Sequence, residues 1–208
     1  MVETQTSERL TLEFPSSLRL HVTQAQFEVL AAANRDMRLE RNVNGELIVN
    51  PPTGGETGGQ NWGVSGELYL WWRNAGEPGK GYDSSTGFIL PNGATRSPDA
   101  SWVSQERLDA LTSSQRQGFI PLYPDFIIEL RSNSDRLGTL QSKMREYIEN
   151  GAKLGWLIDS QNRTVEIYRQ DREVEIVENP IELSAEELLP GFVLNLKRIW
   201  NSIMNNEQ

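Results

Sequence analysis

Apolar and polar positions along this chain fall into two periods, and they separate strands from helices. In residues 124–135, PDFIIELRSNSD, the run Phe126, Ile127 and Ile128 gives way to Glu129 and Arg131. Strand alternation puts Phe126, Ile128 and Leu130 on one face and Ile127, Glu129 and Arg131 on the other. Downstream, Leu137, Leu140, Met144, Tyr147 and Ile148 recur at helical spacing. That pattern predicts a helix capped by Ser134 or Asp135, running to Asn150 and closed by Gly151. Gly155–Asp159 is a further short apolar strand. Strand, helix and strand with short joints predict a right-handed crossover and two adjacent parallel strands.

The flanking segments read in the same way. Residues 1–20 are expected to form an irregular arm or an edge strand. Thr23 with Gln26 forms a capping box that opens a helix through Phe27, Leu30 and Ala31. Asn44-Gly45 predicts a hairpin between residues 37–43 and 46–49. PPTGGETGG, residues 51–59, reads as loop. A helix over residues 62–74 would bury Val64, Leu68, Trp71 and Ala75, with Glu67 at the border of that face. A second hairpin turns at Asn92-Gly93 and would set Thr86 roughly opposite Asp99. A short helix over 106–111, strands over 164–168 and 173–177, and a capping box at Ser184 with Glu187 complete the reading. The fold class is α/β (α+β): a central mixed sheet flanked by helices, with an N-terminal helix and hairpin extension. We expect a single domain over 1–208, made of an arm (1–22), the extension (23–60), a core (61–160) and a C-terminal meander and tail (161–208).

Composition narrows the chemistry. The 208 residues contain no cysteine, which excludes disulfides, thiolate metal sites and Cys nucleophiles. A single histidine, His21, leaves no room for a His-rich metal site. No apolar run approaches the ~20 residues that span a bilayer, so the expectation is a cytoplasmic protein with no membrane partner. The net charge of −9 argues against a general nucleic-acid coat, but not against an enzyme that offsets its acids with a bound cation.

Candidate chemistry then converges on one edge of the sheet. Asp99 follows Pro98, and proline in a strand marks interrupted pairing. Glu129 lies on the neighbouring strand. Lys143 sits about 60° around the helix from Leu140, where its stem can follow apolar surface toward the sheet end. Two carboxylates suit Mg2+ or Mn2+, and an ammonium beside them can orient a water and stabilise charge on a phosphate. Arg96, Arg131, Arg136, Lys143 and Arg145 would form a local basic rim. Taken singly, each residue has a blander reading: Pro98-Asp99 as a turn, Glu129 and Arg131 as a surface charge pair, Lys143 and Glu67 as solvated helix positions.

Pro98-Asp99, followed by Glu129-Leu130-Arg131, resembles the PD-(D/E)XK nuclease signature, with Arg131 where a lysine usually stands. The longer segments NVNGELIVNPPTGGETG, RSPDASWVS, YPDFIIELRSNSDRLGTLQSKMREYIENGAKLGWLIDSQNRTVEIY and LPGFVLNL resemble the Uma-type restriction endonuclease family over about residues 25–197. That resemblance implies a restriction-endonuclease-like core and a DNA endonuclease dependent on Mg2+ or Mn2+. It makes Asp99, Glu129 and the Leu130 carbonyl metal ligands, with Glu67 as an accessory acid. Lys143 would supply the ammonium, and Arg131 would bind a phosphate or one of the acids. DNA and a second copy in a homodimer are the implied partners. The alternative is a catalytically degenerate nuclease fold acting as a DNA-binding or regulatory homodimer.

Overall fold

The computed structural model describes residues 18–201. The expected N-terminal arm lies outside the described residues up to position 17; beyond it, His21 makes an isolated bridge to Glu46. The chain begins with α1 (Gln24–Ala33), opened by the Thr23–Gln26 capping box, and the hairpin β1 (Arg38–Arg41) and β2 (Leu47–Asn50). Next come α2 (Gly55–Asn74), the strand β3 (Lys80–Asp83) and the short pair β4 (Phe88–Ile89) and β5 (Thr95–Arg96). β6 (Ala100–Val103) leads into α3 (Gln105–Asp109) and α4 (Ser113–Gln117). The centre is β7 (Phe126–Leu130), α5 (Leu137–Glu149) and β8 (Leu154–Asp159). The meander β9 (Thr164–Arg169) and β10 (Glu175–Glu178), the pair β11 (Glu182–Ser184) and β12 (Val193–Asn195), and α6 (Lys197–Asn201) finish the fold.

Six strands form the central sheet in the order β10-β9-β8-β7-β6-β3. β7 and β8 are parallel, joined by α5, and the other neighbours are antiparallel, so the sheet is mixed as expected. Each face of the sheet carries its own core. Phe126, Ile128 and Leu130 face α2 and the C-terminal segment, packing with Val64, Leu68, Trp71, Trp156 and Phe192. Ile127 faces α5, with Met144, Tyr147 and Leu157. Gly155 lets α5 sit close to the sheet: a Cβ there would lie 2.5 Å from Met144 Cε. Gly151 ends α5 at φ +112°, and a Cβ would strike the Tyr123 ring at 2.4 Å.

Several segments depart from the sequence reading, which also has no counterpart for β3 and α4. α2 starts at Gly55 instead of 62, through the stretch read as loop. Gly55, Gly58, Gly59, Gly63 and Gly66 each weaken an isolated helix by about 1 kcal/mol, but Gln60, Val64, Leu68 and Trp71 are buried and packing holds the turns in place. The second hairpin is cut short. β5 ends at Arg96, and after Pro98 the chain leaves the four-stranded sheet β2-β1-β5-β4 and enters the central one as β6. β6 pairs with β3, with Asp83 opposite Ala100, so Thr86 is not the partner of Asp99. α5 is not capped by Ser134 or Asp135: its N-cap is Arg136, and the Asp135 carboxylate accepts instead from Ser132 N (2.9 Å) and Ser132 Oγ (2.6 Å). Ser184 closes only a turn, accepting from Glu186 N, while Glu187 pairs with Arg169.

Candidate active site

The seam between the two sheets is where the acids meet. Asp99 immediately precedes β6, whose Ala100 pairs with Ile128 of β7. Its Oδ2 accepts the Leu130 N–H at 2.9 Å, which fixes the carboxylate against the end of β7. Its Oδ1 pairs with Arg38 NH1 at 3.2 Å. Glu129 projects from β7 toward α5. There Oε1 accepts from Lys143 Nζ at 2.8 Å and from the Tyr147 hydroxyl at 3.0 Å. Lys143 reaches this position because Met144 and Tyr147 anchor its helix to the sheet and draw its stem into the interior.

Sequence reasoning missed a third acid. Glu40 of β1 is buried, and its Oε1 lies 2.9 Å from Lys143 Nζ and accepts from Ser97 N at 3.2 Å. Arg96 holds the other oxygen at 3.2 Å and pairs with Glu146 at 2.6 Å, so it is interior and not part of a basic rim. One signal could have found Glu40. The Asn44-Gly45 turn sets the register, and that register places Glu40 opposite Ile48 on one sheet face. A carboxylate set across from an apolar partner is out of place on a solvated edge.

The structure brings Asp99, Glu129 and Lys143 together and puts Leu130 beside them. A cleft of about 860 Å3 is lined by Arg38, Glu40, Asp99, Glu129, Leu130 and Lys143. An adjoining cleft of about 770 Å3 shares Arg38, Asp99 and Leu130 and runs past Gly54 and Ser132. A separate, largely apolar cavity of about 590 Å3 between α2 and β3 contains none of these groups. Arg131 and Glu67 are not brought to the site. Arg131 pairs with Asp159 at 2.7 Å and donates to the Asp135 carbonyl, because β7 ends at Leu130 and alternation ends with it. Glu67 pairs with Arg198 at 3.5 Å and lines neither cleft.

Burial and charge set the protonation of the cluster. Burial raises the Glu129 carboxyl, Lys143 lowers it, and Asp99 and Glu40 raise it further, to about 7. Burial also opposes the ionised form of Glu40, but Lys143, Arg96 and the Ser97 N–H outweigh it and leave its pKa lowered. Lys143 is held in the charged form by Glu129 and Glu40 against its own desolvation. Among the described residues no three acidic or histidine side chains form a closed metal cage. Two carboxylates with backbone and water oxygens match an open, hard-cation site better. The raised Glu129 carboxyl is first a consequence of its burial, with the charges of Asp99 and Glu40 adding to it against Lys143.

The mixed sheet, with its parallel β7–α5–β8 crossover flanked by helices, is a known α/β architecture. A crystal structure of a putative nuclease belonging to a domain-of-unknown-function family from Anabaena variabilis shares it. The TM-score is 0.66 at 18% identity, over 79% of this chain and 90% of that one. Residues 24–197 match the family model Uma2, described as putative restriction endonuclease, and the chain belongs to that family. No curated protein matches the chain. Among the described residues no helix is long and apolar enough to cross a membrane.

Proposed function

We propose that the protein is a DNA endonuclease of the PD-(D/E)XK type that hydrolyses phosphodiesters with Mg2+ or Mn2+. The observation that carries this reading is the convergence of Asp99, Glu129 and Lys143 in one cleft, with Lys143 Nζ 2.8 Å from Glu129. Asp99, Glu129 and the Leu130 carbonyl would hold the cation, which lowers the pKa of a bound water and offsets phosphate charge when present. Lys143 keeps its proton and holds the Glu129 carboxylate in one orientation. It is the donor placed to orient the attacking water. Glu40 fixes Lys143 from the opposite side, so the ammonium cannot swing away when Glu129 turns to another partner. Tyr147, its pKa well above the ordinary range through burial and the nearby acids, remains a hydroxyl donor to Glu129.

The test is cleavage of plasmid and oligonucleotide DNA with Mg2+, Mn2+ or EDTA. Metal-dependent cleavage lost in Asp99→Ala and Glu129→Ala is the expected result; equal cleavage by either variant refutes the site. A second reading, a DNA-binding nuclease fold without catalysis, draws on the occupation of both acids by the chain's own cations. Under that reading no divalent cation binds, and the native chain binds DNA without cleaving it.

A further inference from the structure

We propose that Arg38 is the phosphate-binding cation of this site and the counter-ion that Asp99 carries until a divalent cation takes its place. The inference rests on the nuclease reading and assigns a role that the sequence motif gave to Arg131.

Arg38 stands where two requirements meet. It lines both clefts, so it lies between the acids and the groove beside them. Its side chain is 34% exposed, whereas those of Lys143 and Arg96 are 10% exposed and that of Arg131 is 17%. Those three cations are each held by two partners: Lys143 by Glu129 and Glu40, Arg96 by Glu40 and Glu146, and Arg131 by Asp159 and the Asp135 carbonyl. Arg38 has a single bond, from NH1 to Asp99 Oδ1, and its buried Nε has no partner. Its grip on Asp99 is one-pronged, since the other oxygen, Oδ2, accepts from the Leu130 N–H and not from the guanidinium. A guanidinium is a rigid fork of donors that fits two phosphate oxygens at once. Here NH1 rests on an acid, and the Nε–H on the other edge of the guanidinium has no partner.

The surroundings agree with this assignment. Asn50, opposite Arg38 in the β1–β2 ladder, has a buried Nδ2 with no partner and lines the same two clefts. Two residues on neighbouring strands, each with one buried donor that has no partner, therefore line a groove that would carry an anionic backbone. Asp99, Glu129 and Glu40 all favour the Arg38 charge, against its burial. That pull weakens once a cation shares Asp99 and Glu129, and Arg38 can then turn to a phosphate without leaving the cleft. Its competition for Asp99 Oδ1 also sets how tightly the site takes up metal.

The two halves of the role predict effects of opposite sign. Mn2+ binding to DNA-free protein would be measured by calorimetry. Binding of a DNA duplex in Ca2+ would be followed across a range of salt concentrations. Arg38→Gln should bind Mn2+ more tightly than the native chain, because the competing cation is gone. It should bind duplex about tenfold more weakly, with the slope of log affinity against log salt reduced by about 0.9. Arg38→Lys should keep Mn2+ affinity and salt slope near native values and lose cleavage rate. A merely structural arginine would weaken both ligands in Arg38→Gln, and that result overturns the inference. Mn2+ uptake abolished by Glu129→Ala but unaltered by Arg38→Gln overturns it alone. No Mn2+ uptake by either native chain or Arg38→Gln overturns the nuclease reading with it.

Discussion

Glu129→Gln removes one ionisable group from a buried cluster at almost constant volume, and the structure fixes what should follow. The carboxyl is raised from 4.5 to about 7, which corresponds to on the order of 3 kcal/mol between its two protonation states. A raised carboxyl stabilises the fold fully below its unfolded value of 4.5, and that stabilisation is lost as pH climbs through about 7. The groups facing it are Lys143 and Tyr147 on α5, Asp99 before β6, and Arg38 and Glu40 on β1. Lys143 is charged throughout that window, and Glu40, Asp125 and Asp159 have lowered values and titrate below it. Urea unfolding of EDTA-treated protein between about pH 5 and about pH 8 isolates the effect. Native protein should lose stability across that range. Glu129→Gln should give a flatter profile and be at least as stable as native protein at the alkaline end. The gain should be less than the full 3 kcal/mol or so, because Lys143 keeps only Glu40 as an ionised partner. Adding Mn2+ at the alkaline end should stabilise native protein and not the variant. A variant several kcal/mol less stable at about pH 8, with the native pH slope intact, would refute the reasoning. Glu129 would then be a settled ion paired with Lys143.

Other perturbations follow from the same geometry. Lys143→Met leaves Glu129 and Glu40 facing each other without their shared cation, and should cost about 3–5 kcal/mol near pH 8 and less near pH 5, read by the same unfolding curves. Arg131→Ala frees Asp159 from its 2.7 Å partner and should lower stability by about 1–3 kcal/mol without changing the salt dependence of DNA binding. Gly155→Ala puts a methyl 2.5 Å from Met144 Cε and should lower stability by about 1–3 kcal/mol, toward the smaller figure because methionine can move aside. Glu67→Ala, which loses only an exposed pairing with Arg198, should leave metal-dependent cleavage within about twofold of native.

The central crossover was legible because its residues obey one period at a time. The apolar run of β7, the α5 stripe and the apolar β8 each have one reading, and Gly151 closes the helix between them. Asp99, Glu129 and Lys143 were legible as a group for a related reason: Pro98 marks broken pairing, and strand and helix periods aim the other two at the same edge. What sequence could not give is set by long-range contacts. The glycine-rich start of α2 looks like loop by propensity, and it is helix as the exposed extension of later turns that bury Gln60, Val64, Leu68 and Trp71. β3 carries no apolar alternation, and pairing with β6 alone makes it a strand. Glu40 and Arg38 reach the acids only because Arg96 and Ser97, just before the chain changes sheets, bind Glu40 and seat the first hairpin over the cleft. No local pattern encodes that closure. The residue two positions after Glu129, Arg131, pairs with Asp159, and the ammonium that reaches Glu129 comes from Lys143 of α5.

The passage of the chain from one sheet to the other at Pro98 divides responsibility for the cleft. One wall, bearing Asp99 and Glu129, belongs to the rigid interior and tolerates little change. The opposite wall, bearing Arg38, Glu40 and Asn50, belongs to a hairpin whose outer turn can lengthen, shorten or exchange residues without disturbing the acids. Divergence among such proteins is therefore expected to accumulate in that hairpin and in the loop after it, while the acids behind them stay fixed.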